Sequence, residues 1–153
     1  MSRSNTLPQD TSSTPRALAA LAGRVLLIVV FFLSGLSKLA APTVTIGKIQ
    51  ASGLPLAPLG LAIAVAIEIL GSLALIAGYR TRWVAAGFVL YSLATAAAFH
   101  NNLADYNQYI HFFKNIAIAG GFLQVVAFGG GSFSLDGRLA RAAPHSLIED
   151  GAQ

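Results

Sequence analysis

The chain has 153 residues, of which 55% are hydrophobic and only 10% are charged, with a formal net charge of +4. Typical soluble domains carry about 25% charged residues, so this composition excludes an ordinary soluble fold. The basic residues flank apolar segments instead of forming a stripe, which excludes a nucleic-acid-binding surface, and the absence of cysteine excludes disulfides, thiolate redox chemistry and cysteine-ligated clusters.

The first predicted elements are a polar tail, residues 1–15, and an apolar segment, Ala17–Ala41. The tail is rich in Ser, Thr, Asn and Pro, which predicts disorder. Leu39-Ala40-Ala41 is similar to a signal-peptide cleavage site, but the segment is longer than the roughly 7–15 apolar residues of a signal sequence. Arg24 and Lys38 also lie on one face of it, so we predict a membrane-spanning helix.

The next two elements are a short helix and a second apolar segment. We predict that Thr43–Ala51 forms a short interfacial helix, which ends at Ser52-Gly53-Leu54-Pro55 and covers the outer side of the bundle. Leu59–Tyr79 is long enough to cross the bilayer, which takes about 20 residues. Glu68 lies at its midpoint and is its only charged residue. An acid at that depth is costly and indicates a partner or a function.

Two further apolar segments, Trp83–Asn101 and Tyr109–Gly129, have the length of spanning helices. Together the four segments predict an all-α integral membrane four-helix bundle over residues 16–130. Residues 131–153 predict a cytoplasmic tail with a short or frayed helix.

The distribution of basic residues predicts the orientation. Lys and Arg favour the cytoplasmic side of a membrane, and the loop before the fourth segment has no cation. We therefore expect the protein to lie in the inner membrane with both termini in the cytoplasm. The arginines on which this depends lie in the first, third and last polar segments: Arg3, Arg16, Arg80, Arg82, Arg138 and Arg141.

Helical spacing places most of the intramembrane polar residues on inward faces. Small residues beside polar ones allow close helix approach, and charges facing lipid would be costly. The predicted faces are Arg24, Phe31, Gly35 and Lys38 on the first helix, Ala64, Glu68, Gly71, Ser72 and Leu75 on the second, and His111, Lys114, Asn115, Ile118 and Gly121 on the fourth.

Two interpretations of these faces remain open. In the first, Glu68 forms an ion pair with Lys114 or Arg24 that only holds the helices in register. In the second, the same groups line a cavity for a small molecule, a proton or a quinone head group. The depth and crowding of the polar groups favour the cavity.

His100 and His111 flank the predicted turn between the third and fourth helices. Their ring nitrogens suit axial ligation of haem, but the short loop favours two hydrogen-bonding histidines. His100 is the better functional candidate of the two, because it ends an otherwise apolar helix. We predict no metal site.

Five motifs in this order resemble those of the DoxX family of small bacterial membrane proteins, and they extend over Arg16–Asp136. They are Arg24 with Phe31–Lys38, Glu68 with Gly71 and Leu73, Phe99-His100, His111–Asn115 with Gly120-Gly121, and Gly131 with Ser134-Leu135-Asp136. The resemblance implies a four-helix inner-membrane protein that acts as an oxidoreductase component. Relatives in that family include a subunit of thiosulfate:quinone oxidoreductase and a membrane partner of a superoxide dismutase and a thiol sulfurtransferase.

The resemblance also implies a family site at Arg24, Glu68, His100, Lys114 and Asn115. Combined with the inward faces, it predicts Glu68, His100 and Lys114 as catalytic groups and Arg24, Lys38, His111 and Asn115 as ligand-binding groups. The cofactor or ligand expected there is a quinone, ahead of haem. Cytoplasmic redox proteins are the expected partners.

Two other functions remain open at this point. A non-enzymatic scaffold would recruit cytoplasmic enzymes through the tail Gly131–Ala143. A small transporter ranks below it, because four helices are few for alternating access and no inverted repeat is visible, unless the protein forms a homo-oligomer.

Overall fold

The computed structural model describes residues 13–142, and every regular element in this part of the chain is a helix. The third helix contains a π-helical turn, Ile67–Gly71, between two α-helical parts. We number the helices in chain order: α1 Ser13–Ala40, α2 Pro42–Ala51, α3 Ala57–Ala77, α4 Thr81–Phe99, α5 Tyr106–Phe128 and α6 Leu135–Ala142.

Four of these helices, α1, α3, α4 and α5, are long and apolar enough to cross a membrane. They correspond to the four predicted segments, so the predicted all-α membrane bundle is confirmed. α1 begins at Ser13, before the predicted boundary at residue 16, and the rest of the predicted disordered tail lies outside the described residues. The last part of the predicted C-terminal tail, residues 143–153, also lies outside them.

Successive spanning helices are antiparallel, joined by short connections after α3 and α4 and by the segment that contains α2 after α1, so the bundle has two ends. One end carries the start of α1, the α3–α4 turn, the end of α5, and α6; we call it the terminal end. The other carries α2 and the α4–α5 connection, and we call it the loop end. α2 confirms the predicted short helix, with Pro42 in its first turn and Ile49 buried beside Gly60.

The core is an aromatic cluster at mid-bundle, where three helices meet. Phe31 of α1 packs against Phe88 of α4 and Phe122 of α5, with ring centroids 5.0 Å and 5.7 Å away. Phe88 and Phe122 stack on each other at 5.0 Å. Close approach of α3 to this cluster depends on Gly71, because a Cβ there would lie 2.8 Å from the ring of Phe88.

α1 and α3 approach each other closely beside Glu68. A Cβ on Gly35 would lie 2.8 Å from Ile69 Cδ1 and 3.1 Å from Glu68 Cβ. Glycine at this position therefore lets the backbone of α1 lie against the π-helical turn of α3. Small residues allow this contact between membrane helices.

At the terminal end, the short α6 holds the turn between α3 and α4. The two oxygens of Asp136 accept hydrogen bonds from the backbone N–H groups of Arg80, at 2.9 Å, and Thr81, at 2.7 Å. These N–H groups lie at the N-terminus of α4, where a helix has no partners of its own for them. Arg80 adopts a left-handed conformation with φ 45°.

Burial of Asp136 acts to raise its pKa, but the N–H donors of Thr81 and Arg80 and the nearby charge of Arg24 outweigh it. The pKa of Asp136 is therefore held below its usual value. Such a group stabilises the fold above its unfolded pKa of about 3.9, and this stabilisation is lost as the pH falls through the folded pKa.

Gly35→Ala should lower the free energy of unfolding by about 1–3 kcal/mol, because the added methyl group overpacks the contact between α1 and α3. The control is Gly23→Ala on the same helix, where a Cβ meets nothing within 4 Å. That control should instead stabilise the helix by about 0.5–1 kcal/mol. Thermal unfolding in one detergent compares the two. Equal shifts would contradict the close contact at Gly35.

Asp136→Asn should lower stability at pH 7 by about 1 kcal/mol, because a neutral amide interacts more weakly with the start of α4. The difference from the wild type should shrink as the pH falls from the unfolded pKa of about 3.9 toward the lower folded pKa, at which the folded-state carboxylate takes up its proton. Unfolding midpoints measured from pH 3 to pH 7 test this expectation. A difference independent of pH would contradict the role of the carboxylate charge.

Candidate functional site

Glu68 lies in the π-helical turn near the middle of α3, and only 3% of it is exposed. Three side chains donate hydrogen bonds to its carboxylate: Lys38 Nζ at 2.8 Å and 2.9 Å, Tyr91 Oη at 2.8 Å and Ser34 Oγ at 3.3 Å. We call these four residues the Glu68 cluster. It joins α1, α3 and α4, and its salt bridge is the one ion pair among residues 13–142.

The local helix geometry is part of this site. A π-helical turn is rare, inserts one extra residue into an α-helix and occurs often at functional sites. Here it is the segment Ile67–Gly71, so it presents Glu68 itself. Nothing in the periodicity of the sequence indicated it.

The partner of Glu68 differs from the one that the sequence suggested. Spacing on the helices predicted Lys114 or Arg24, and this prediction is wrong. Lys38, in the last turn of α1, reaches inward and also donates a 2.6 Å hydrogen bond to Ser34 Oγ, one turn earlier. Helical phase places a residue on a face, but the long stem of a lysine decides where its charge lies along the helix.

Arg24 is buried, with 1% exposed, but in a separate group nearer the terminal end. Its guanidinium donates to the carbonyl oxygens of Leu75, at 3.0 Å, and Phe133, at 2.8 Å. The last carbonyl groups of a helix lack partners within that helix. Arg24 therefore ties the end of α3 and the segment before α6 to α1.

The remaining predicted residues form a third group at the loop end. The rings of His100 and His111 stack with centroids 5.0 Å apart and an interplanar angle of 25°. Gln108 Oε1 lies 2.9 Å from Nδ1 of His100, and Nζ of the exposed Lys114 lies 2.8 Å from Nδ1 of His111. Asn115 is buried and donates to the backbone oxygen of His111 at 2.9 Å.

This third group does not fit a haem iron between the two histidines. Bis-histidine ligation requires nitrogens directed at one iron from opposite sides, whereas these rings stack on each other. Within residues 13–142 there is also no cluster of three or more His, Asp or Glu side chains that could hold a metal ion.

Sequence reasoning missed two members of the Glu68 cluster, Ser34 and Tyr91. Tyr91 carried a usable signal, because it is a hydroxyl-bearing residue at the middle of an apolar segment, at a depth similar to that of Glu68. Ser34 lies one turn before Lys38, a spacing at which the serine hydroxyl can accept a hydrogen bond from the lysine ammonium. Neither signal was conclusive, since tyrosine and serine also occur in membrane helices for packing.

A groove of about 560 Å³ opens on the outside of the bundle between the end of α1, α2 and α3. Lys38 is its one charged lining residue, and the others are apolar: Leu39, Pro42, Pro58, Leu61, Ala62, Val65, Ala66, Ile69 and Leu70. We call it the lateral groove. Through Lys38 it borders the Glu68 cluster, so the buried carboxylate lies next to a lipid-facing opening.

Comparison with known proteins identifies the family. The DoxX family model matches residues 19–101, more than half of the chain. The chain is 31% identical over 139 residues to Inner membrane protein YphA of Escherichia coli (strain K12), covering 88% of this chain and 99% of that protein. It is 32% identical over 119 residues to Inner membrane protein YqjF of the same organism, covering 78% and 90%.

No solved structure matches the chain. The two relatives are both named as inner membrane proteins, and the four apolar helices fit a multi-pass protein of that membrane. The resemblance inferred from five sequence motifs is confirmed: the chain belongs to the DoxX family.

Proposed function

We propose that this protein is the quinone-interacting membrane subunit of an oxidoreductase, with its site formed by the Glu68 cluster and the lateral groove. One observation carries the proposal. Lys38 contacts a carboxylate at the middle of the bundle and also lines an apolar groove on the lipid-facing surface. A polar head and an apolar tail of one molecule fit these two neighbouring environments.

The groove suits the apolar part of such a ligand. Its volume of about 560 Å³ lies within the usual range of about 300–1,000 Å³ for small-molecule sites. Apart from Lys38 its lining is aliphatic, so a hydrocarbon tail can lie along α3 while the head group meets the ammonium. A purely structural ion pair would need no such opening beside it.

The residues of the cluster have chemistry that suits a quinone head group, which when bound supplies exchange of two electrons and two protons. The ammonium of Lys38 donates to a head-group oxygen and stabilises negative charge on it. Glu68 would take up a proton that arrives from water and pass it to a head-group oxygen as the quinone is reduced. Tyr91 keeps the carboxylate oriented. The two electrons would come from a bound cofactor or a partner protein, since this chain has no cysteine thiol to supply them.

The third polar group extends the proposal toward the loop end. His100 and Lys114 serve as further proton carriers between the Glu68 cluster and water, with His111 beside them and Asn115 fixing the backbone of α5. The guanidinium of Arg24 donates to backbone carbonyl groups, so we assign Arg24 a structural role between helices and not a role in binding the ligand.

Glu68→Gln should weaken binding of decylubiquinone by about tenfold or more, because a hydrogen bond to a charged group is worth about 1.5–3 kcal/mol. Calorimetric titration of the full chain in nanodiscs measures the binding. Asp105→Asn is the matched control: it makes the same change from acid to amide at the N-cap of α5, where asparagine also caps well.

The same titration separates the proposal from its rivals. If the ion pair only holds the helices together, Glu68→Gln lowers the unfolding temperature but leaves quinone affinity at the wild-type level. A scaffold that acts through the tail predicts no quinone binding by the wild type at all. Either result would refute the proposed site.

Ala62→Trp should fill the lateral groove and weaken binding of long-tailed quinones by about tenfold, while a tailless benzoquinone is affected less. Ala62 is exposed in the groove, so the larger side chain displaces no core residue. Ala97→Trp on α4 makes the same change at an exposed position outside the groove. Equal binding by the two variants would show that the tail lies elsewhere.

A further inference from the structure

A second cavity, of about 460 Å³, lies at the terminal end, away from the Glu68 cluster. It is formed by the start of α4, the end of α5 and the segment that leads into α6, and we call it the basic pocket. Its lining includes Arg80, Arg82, Trp83, Phe128, Gly129 and Asp136. The proposed redox function uses none of them.

Two arginines, Arg80 and Arg82, line this pocket, and neither has an acidic partner among residues 13–142. The one acid in the lining, Asp136, has both oxygens bound to backbone N–H groups at the start of α4. The lining therefore has an excess of one positive charge, from two cations and one anion.

The backbone leaves room for one of these guanidinium groups. A Cβ on Gly129 would lie 3.3 Å from Nε of Arg82, and Gly129 has a positive φ of 76° that favours glycine. Glycine at this position thus lets the Arg82 side chain lie close to the backbone that follows α5. Arg80 adopts its left-handed conformation in the same wall.

The rim of the pocket indicates what lies outside it. Trp83 and Phe128 are 79% and 78% exposed, and each is at the end of a spanning helix. Tryptophan and other aromatic residues at helix ends lie at the level of lipid head groups. The pocket therefore opens where phosphate groups of the bilayer are present, with apolar rings beside the acyl chains.

We infer that the basic pocket binds the phosphodiester head group of an anionic phospholipid. Arginine recognises phosphate oxygens through two parallel hydrogen bonds, and basic pockets between membrane helices bind anionic head groups. A zwitterionic lipid is bound less well, because its cationic group meets two guanidinium groups. The aromatic rim packs against the chains of the same lipid.

Trp83 makes the inference measurable, because it is the single tryptophan of the chain and it lines the pocket. The full chain is reconstituted in phosphatidylcholine vesicles, and brominated phosphatidylglycerol or brominated phosphatidylcholine is added at equal mole fractions. Bromine quenches tryptophan at short range, so the ratio of quenching gives the relative affinity of the two lipids. The wild type should prefer the anionic lipid by about tenfold or more, and 1 M NaCl should reduce this preference.

Arg80→Asn with Arg82→Gln should reduce the preference to near unity, because each arginine near the surface contributes about fivefold. Asparagine tolerates the left-handed conformation at position 80. The matched control, Arg138→Gln, removes a cation from the exposed face of α6 outside the pocket and should keep the wild-type preference. Circular dichroism verifies that the variants are folded, and the salt series on the wild type tests the inference without any variant.

Three results would overturn the inference. The first is equal quenching of the wild type by both lipids, and the second is a double variant with the wild-type preference. The third is loss of the preference in inorganic phosphate but not in chloride of equal ionic strength, which would assign the pocket to a soluble anion. None of these results depends on quinone binding, so they are independent of the proposed redox function.

Discussion

The cost of holding a carboxylate at the middle of an apolar bundle determines how the helices must pack. Removing such a charge from water costs several kcal/mol, and one cation offsets this only if the remaining lone pairs also find donors. Lys38, Tyr91 and Ser34 provide those donors from two neighbouring helices. These hydrogen bonds fix the axial positions of α1, α3 and α4 relative to one another.

Short hydrogen bonds across helices require short distances between backbones, and glycine provides them at two positions. Gly35 lets α1 lie against the turn that carries Glu68, and Gly71 lets α3 lie against Phe88 of the aromatic cluster. The polar site and the aromatic core thus both depend on a close approach of α3 to a neighbouring helix. A side chain at either position would force Ile69 or Phe88 to shift.

Much of the fold follows from the sequence, because apolar length and helical phase are local properties. They predicted four spanning helices, the short α2, and the inward faces around Arg24, Glu68 and Asn115. They did not predict that the polar residues divide into three groups instead of one cavity, because phase gives a direction but not a depth. The π-helical turn at Ile67–Gly71 was also not predicted, since hydrophobic periodicity carries no signal for one extra residue in a helical turn.

The lateral position of the groove has a consequence for how any occupant arrives. Its mouth faces the acyl chains between α1, α2 and α3, and its aliphatic lining offers little to a molecule dissolved in water. Entry is then by two-dimensional diffusion within the leaflet, and occupancy follows the mole fraction of the ligand among lipids. A hydrophobic compound far too insoluble to reach a useful aqueous concentration can still saturate such a site, because the bilayer itself accumulates it.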